Sequence, residues 1–120
     1  MYPSEKIINI AIKQSGLSKH RFRLGAVVYK RLKVMGFGYN DHIRTHPMSP
    51  HPFKTKHAEF SALLNAVGRY GANCTSNSSV YVYRMRADGS SGLAEPCKFC
   101  YKMLKLAGIN EIFWSKNGAI

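Results

Sequence analysis

Apolar residues recur along the 120-residue chain with two spacings, one helical and one alternating, and together they predict seven elements. After Pro3 and Ser4, EKIINIAIKQSG sets Ile7, Ile8, Ala11 and Ile12 on one helical face, with Gly16 as the stop. LGAVVYK (24–30) and LKVMGFGYN (32–40) are rich in β-branched and aromatic residues and predict a hairpin with a polar turn at Lys30–Arg31. HAEFSALLNAVGRYG (57–71) predicts a second helix, with Thr55 as its cap. SSVYVYRMR (78–86) predicts a strand, and ADGSSGLAE its polar exit loop. PCKFCYKMLKLAG (96–108) predicts a helix with proline at its first position and glycine after its end. In the last strand, NEIFWS (110–115), Ile112, Phe113 and Trp114 pack the sheet.

The order α-β-β-α-β-α-β pairs one antiparallel hairpin with strands joined through helices, and such crossovers make strands parallel. The expected fold is α/β, a three-layer α/β/α sandwich around a mixed sheet of about four strands, ending after the fourth. Neither repeats nor a linker divide the chain, so residues 1–120 are expected to form one domain. Between the hairpin and the second helix, NDHIRTHPMSPHPFKTK (40–56) is a long loop with three prolines and three histidines. Loops of that length inside compact domains are usually functional or disordered.

Composition adds compartment and charge. Apolar residues make up 45% of the chain and charged residues 20%, an ordinary globular mix. No run approaches the roughly 18 apolar residues of a membrane span, and MYPSEKIINIAIKQSG lacks the pattern of a signal peptide. The expectation is a cytoplasmic protein without membrane contact, a virus-encoded chain in a host cytoplasm being one such setting. In a reducing compartment, three cysteines with two in CxxC point to metal or redox chemistry and not to a disulfide scaffold. Net charge is +12, and eleven Lys/Arg against Glu5 and Asp41 lie in residues 1–56. That excess fits a phosphate or polynucleotide partner, or a solubilising surface.

The chemistry lies in two short stretches. In EPCKFC, Cys97 and Cys100 sit one turn apart at a predicted helix start, where the dipole favours thiolates. Near the C-terminus such a pair suits a metal better than a thioredoxin-like redox couple, and a metal needs further ligands. His57 heads the other crossover helix, and that topology can bring both helix starts to one sheet edge. His57, Cys97 and Cys100 then make three ligands for zinc with a fourth position for water, the arrangement of a catalytic site. Glu59 supplies a carboxylate able to move a proton beside it. A closed structural zinc site completed by Cys74 or a loop histidine remains the alternative, with Glu59 a solvated charge. Cys74 otherwise reads as a loop or strand-edge thiol.

HAEF together with EPCKFC resembles the zinc-dependent cytidine/deoxycytidylate deaminase superfamily, whose signature is H-x-E followed by P-C-x-x-C. The likeness spans about residues 24–115, includes GYN at 38–40, and points most nearly to phage and viral deoxycytidylate-type members. It implies Zn2+ as cofactor, with His57, Cys97 and Cys100 as ligands and Glu59 as the proton shuttle. Asn40 and Ala58 are implied as substrate contacts. The implied reaction is hydrolytic deamination at C4 of a cytosine or C6 of an adenine, releasing ammonia. The free-nucleoside branch usually has cysteine at the place of His57, which disfavours that branch. Assembly into homo-oligomers, common in the family, is also implied.

RTHP (44–47) resembles a loop segment of the deoxycytidylate-type enzymes and favours a nucleotide substrate, with Arg44, His46, Lys54 and Lys56 meeting its phosphate. The alternatives are a deaminase of single-stranded DNA or RNA, with Phe53, Tyr83 and Tyr101 as stacking candidates, and a non-catalytic basic zinc module that binds nucleic acid.

Overall fold

A computed structural model describes residues 2–19, 22–40 and 57–118. In β3 (Ser78–Met85), Val80 and Val82 face one side of the sheet and Tyr81 and Tyr83 the other. The same alternation divides β1 (Arg23–Lys30), with Ala26 and Val28 on the first side and Val27 and Tyr29 on the second. A strand buried on both faces must be covered on both. Helix α1 (Glu5–Leu17) covers the tyrosine side with Ile7 and Ala11. The valine side carries α2 (Ala58–Tyr70), through Ala62, Leu63 and Ala66, and α3 (Lys98–Leu106), through Leu104. This is the expected three-layer α/β/α arrangement.

The mixed sheet has five strands where about four were expected. Strand β2 (Lys33–Tyr39) pairs antiparallel with β1, and β1 pairs antiparallel with β3. Along its other edge β3 pairs with two strands, antiparallel β4 (Ser91–Gly92) through Arg84 and Met85, and parallel β5 (Ile109–Trp114) through Ser78–Val82. Strand β4 lies inside the expected exit loop. A tight turn makes it, with Arg86 N–H donating to Ser90 O and Asp88 Oδ1 accepting from Ser90 N–H and Oγ. Two residues are too few to register as alternation.

Helix ends depart from expectation in several places. Ser4 caps α1 by accepting from Ile7 N–H. The helix then runs through Gly16, whose Cα faces open space, and stops at Ser18. One exposed helical glycine costs only about 1 kcal/mol, too little to end a helix. Helix α2 lies tight on β2 because Gly36 and Gly38 have no side chain. A Cβ at Gly36 would sit 2.5 Å from Ala66 N, and one at Gly38 2.6 Å from Ser61 Cβ. Asn65 Oδ1 accepts from Phe37 N–H at 3.1 Å, tying helix to strand. Among the described residues no helix is long and apolar enough to cross a membrane.

Candidate active site

Strands β2 and β3 are both antiparallel to β1, so β2, β3 and β5 end on the same sheet edge. Helix α2 starts on that edge as the chain returns from β2, and α3 starts there as it returns from β3. Open α/β sheets place their sites at this edge.

Both helices begin in the same way. His57 is the N-cap of α2 and Cys97 the N-cap of α3, both with extended backbone, and neither side chain makes a capping hydrogen bond. Expectation placed the caps elsewhere, with Thr55, outside the described residues, capping α2 and with α3 opening on Pro96. A cap residue lies outside the helical spiral. His57 can therefore share a cavity with Glu59, two residues on, although such a pair diverges in mid-helix. Cys97 and Cys100 are related similarly, and each cap carbonyl accepts from the amide four residues later, Ser61 and Tyr101.

The four side chains converge. The ligand atoms of His57, Cys97 and Cys100 lie within 4.8 Å of one another, with Cys100 Sγ 3.2 Å from His57 Nδ1. Tetrahedral zinc spaces nitrogen and sulfur ligands about 3.5–3.8 Å apart, so this triad suits it with small adjustments. Glu59 is 3% exposed, and its Oε1 has no hydrogen-bond partner among the described residues. Burial pushes the Glu59 carboxyl up, despite bonds from its own backbone amide and from Cys100. Burial also raises the Cys100 thiol, with the Glu59 and Cys97 charges adding to it. A buried carboxyl and a buried thiol that resist becoming anions side by side are what a divalent cation relieves, since a coordinated thiol is deprotonated outright. Among the described residues no fourth ligand joins them. Cys74 lies apart, on the short 3-10 turn between α2 and β3 as a loop reading allowed, with its side chain buried in the valine-side core.

His57, Glu59 and Cys97 line a cavity of about 350 Å³, within the range of small-molecule sites. Glu59, Asn40 and Ala94 are its buried part, and Phe22, Leu93 and Glu95 its exposed part. The segment leading to Cys97 is held by Ser115. Its hydroxyl donates to Gly92 O at 2.7 Å and accepts from Arg84 N–H at 3.0 Å, and its carbonyl accepts from Ala94 N–H.

Residues 1–116 match the family model of the cytidine and deoxycytidylate deaminase zinc-binding region. The chain belongs to this zinc-binding deaminase family. Solved deaminases share its fold at low identity. The cyanophage S-TIM5 dCMP deaminase superimposes with a TM-score of 0.59 at 21% identity, over 95% of this chain and 86% of that one. Guanine deaminase from Bacillus subtilis gives 0.62 at 19%, over 95% and 64%. The Thermotoga maritima diaminohydroxyphosphoribosylaminopyrimidine deaminase/reductase gives 0.58 at 19%, over 92% of this chain and 28% of that one. No curated protein matches the chain in sequence.

The deaminase site gathers some expected residues and not others. Asn40 lines the cavity, but most of its amide is committed. Its Oδ1 accepts from Ser18 Oγ at 2.6 Å and Leu24 N–H at 3.0 Å, and its Nδ2 donates to Phe22 O. One amide N–H is left for a ligand. The Ala58 side chain is buried in the core between α2 and the sheet. Tyr83 is corrected as a stacking candidate, because alternation turns it to the α1 side, where it is 5% exposed. Tyr101 is exposed on α3 beneath Lys105 Nζ and does not line the cavity. Arg44, His46, Phe53, Lys54 and Lys56 lie outside the described residues. Sequence reasoning missed Phe22, Leu93, Glu95 and Arg84 as lining residues. For Arg84 a signal exists, because it follows Val82 by two on β3 and so shares the face that ends at the site.

Proposed function

We propose that this deaminase hydrolyses the exocyclic C–N bond of cytosine in a cytidine or deoxycytidine nucleotide, giving the uracil nucleotide and ammonia. Water adds at C4, the C4–amine bond breaks, and no oxidant or second substrate is consumed. The observation that carries the reading is Glu59, buried in the cavity beside the His57, Cys97 and Cys100 triad, with one oxygen uncommitted.

In this reading His57, Cys97 and Cys100 hold Zn2+. When bound, zinc supplies Lewis acidity that makes water a competent nucleophile near neutral pH. Glu59 takes one proton from the attacking water and delivers it to the ring nitrogen next to C4. Glu59 then takes the remaining proton from the C4 hydroxyl and passes it to the amine, which leaves as ammonia. Its place at the second position of α2 fixes the carboxylate within the cavity, and its burial keeps bulk water from competing for the proton. Leu24, Leu93 and Ala94 offer apolar contact for a ring.

Support for the nucleotide comes from the size of the cavity and from the RTHP loop segment. A solved relative, the cyanophage deaminase, is recorded in complex with dCMP and dUMP, which makes that pair the first to try. The test is a panel of dCMP, CMP, deoxycytidine, cytidine, guanine, adenosine nucleotides and single-stranded DNA and RNA, read as ammonia release and product mass. The expected result is fastest turnover of a cytosine mononucleotide with a mass gain of one unit. Turnover of guanine or of an adenine nucleotide alone would contradict the base assignment.

A further inference from the structure

Arg84 is the one arginine or lysine among the described residues lining the cavity, where the other charged side chains are Glu59 and Glu95. Its surroundings fix it in place. On β3 it lies opposite Gly92 of β4, and a Cβ at Gly92 would come 2.9 Å from Arg84 Cδ and 3.1 Å from Cγ. The arginine stem therefore lies across Gly92, where a methyl group would have to push it aside. Its guanidinium carbon rests 4.9 Å from the centroid of the Phe22 ring, which also lines the cavity. An arginine with its stem on Gly92 and its head against Phe22 has fewer conformations to lose when a ligand arrives. Yet no described acceptor takes a hydrogen bond from the guanidinium, and no described carboxylate lies within ion-pair distance. Five donors in a planar fork, lying over the Phe22 ring, suit a phosphate better than a neutral sugar.

We infer that Arg84, braced by Gly92 and Phe22, binds the phosphate of the substrate and sets the preference for nucleotide over nucleoside. The inference rests on the deaminase reading of the cavity and adds a residue, a substrate group and a selectivity to it. The inference commits to the monoester of a free nucleotide, for which a cavity of about 350 Å³ has room. Arg84 is a specificity residue and takes no part in the proton transfers.

The test compares zinc-loaded wild type, Arg84→Gln, Arg84→Lys and Gly92→Ala by calorimetric binding of dUMP and deoxyuridine, products that the enzyme does not consume. Ammonia release from dCMP and deoxycytidine is measured alongside. Wild type is expected to bind dUMP roughly 10- to 100-fold tighter than deoxyuridine, the worth of a charge-assisted hydrogen bond. Arg84→Gln removes that ratio and leaves deoxyuridine binding unchanged. Arg84→Lys restores part of it. Gly92→Ala, which keeps the charge and displaces the stem, lowers it. A wild-type ratio near one, binding of neither product, or a full ratio in Arg84→Gln overturns the inference. So does an Arg84-dependent preference for a cytosine oligonucleotide over dCMP, which would transfer the contact to a phosphodiester. Ammonia release judges the deaminase reading separately. Turnover of deoxycytidine with no phosphate preference leaves the cytosine-deaminating centre standing and removes both the nucleotide preference and the role of Arg84.

Discussion

Asn40 shows how a residue can serve a site without acting as a reactant in it. Its side-chain amide joins the end of α1 at Ser18, the approach to β1 at Phe22, and β1 itself at Leu24. Asn40→Ala strands the Leu24 N–H, at a cost of about 1–3 kcal/mol for a polar group left unpaired, whereas the Ser18 hydroxyl keeps the residue-40 carbonyl as an acceptor at 3.1 Å. A large loss of denaturation midpoint is therefore expected alongside any loss of turnover, and an unchanged midpoint would show that the clamp contributes little. At this scale the sequence was legible where types are rare and spacing is tight. HAE and PCKFC carry their chemistry on their face. Arg84 was not legible, because an arginine ending an apolar strand reads as a solvated charge until its neighbours Gly92 and Phe22 are known.

At the element scale, the two helices give up good caps for function. Serine, threonine, asparagine or aspartate at an N-cap is worth roughly 0.5–2 kcal/mol over a non-capping residue, and α2 and α3 carry histidine and cysteine there without a capping bond. Cys97→Ser should therefore act in opposite directions in two states. Without metal the variant should melt a few degrees higher than wild type, the serine hydroxyl capping α3. With zinc supplied it should melt lower, because a ligand is lost. Calorimetry with and without a chelator checks both, and a shift of the same sign in both states would remove the tension between cap and ligand. Gly38→Ala is expected to destabilise by about 1–3 kcal/mol and to depress turnover, since the methyl meets Ser61 in the first turn of α2. Wild-type melting of that variant would contradict the packing. The strands and helices were legible from period alone, but their first residues were not. Capping rules search for hydroxyls and carboxylates and pass over a histidine or a cysteine whose side chain is committed elsewhere. Strand β4 escaped because turn hydrogen bonds and the Ser115 hydroxyl make it, with no pattern of its own.

For the whole molecule, the decisive event is convergence. Residues 57 and 97 meet because two helices leave the same sheet edge, and the element order alone suggested that before any side chain was placed. The net charge of +12 bears on partners more than on fold. For a mononucleotide substrate kcat/KM should fall gently with added salt, whereas a polynucleotide contacted at several phosphates would lose affinity steeply on a logarithmic salt axis. Kinetics from low to physiological salt separate the two. The central claim, that a zinc triad and one buried carboxylate form a deaminating centre, is tested most directly on a single variant. Zinc per chain and ammonia release from dCMP are measured for wild type and Glu59→Gln. The account predicts one zinc per chain in both proteins and a loss of turnover of at least about 100-fold in the variant. Equal turnover in the two proteins, or a wild type that turns over dCMP while carrying no zinc, would contradict it.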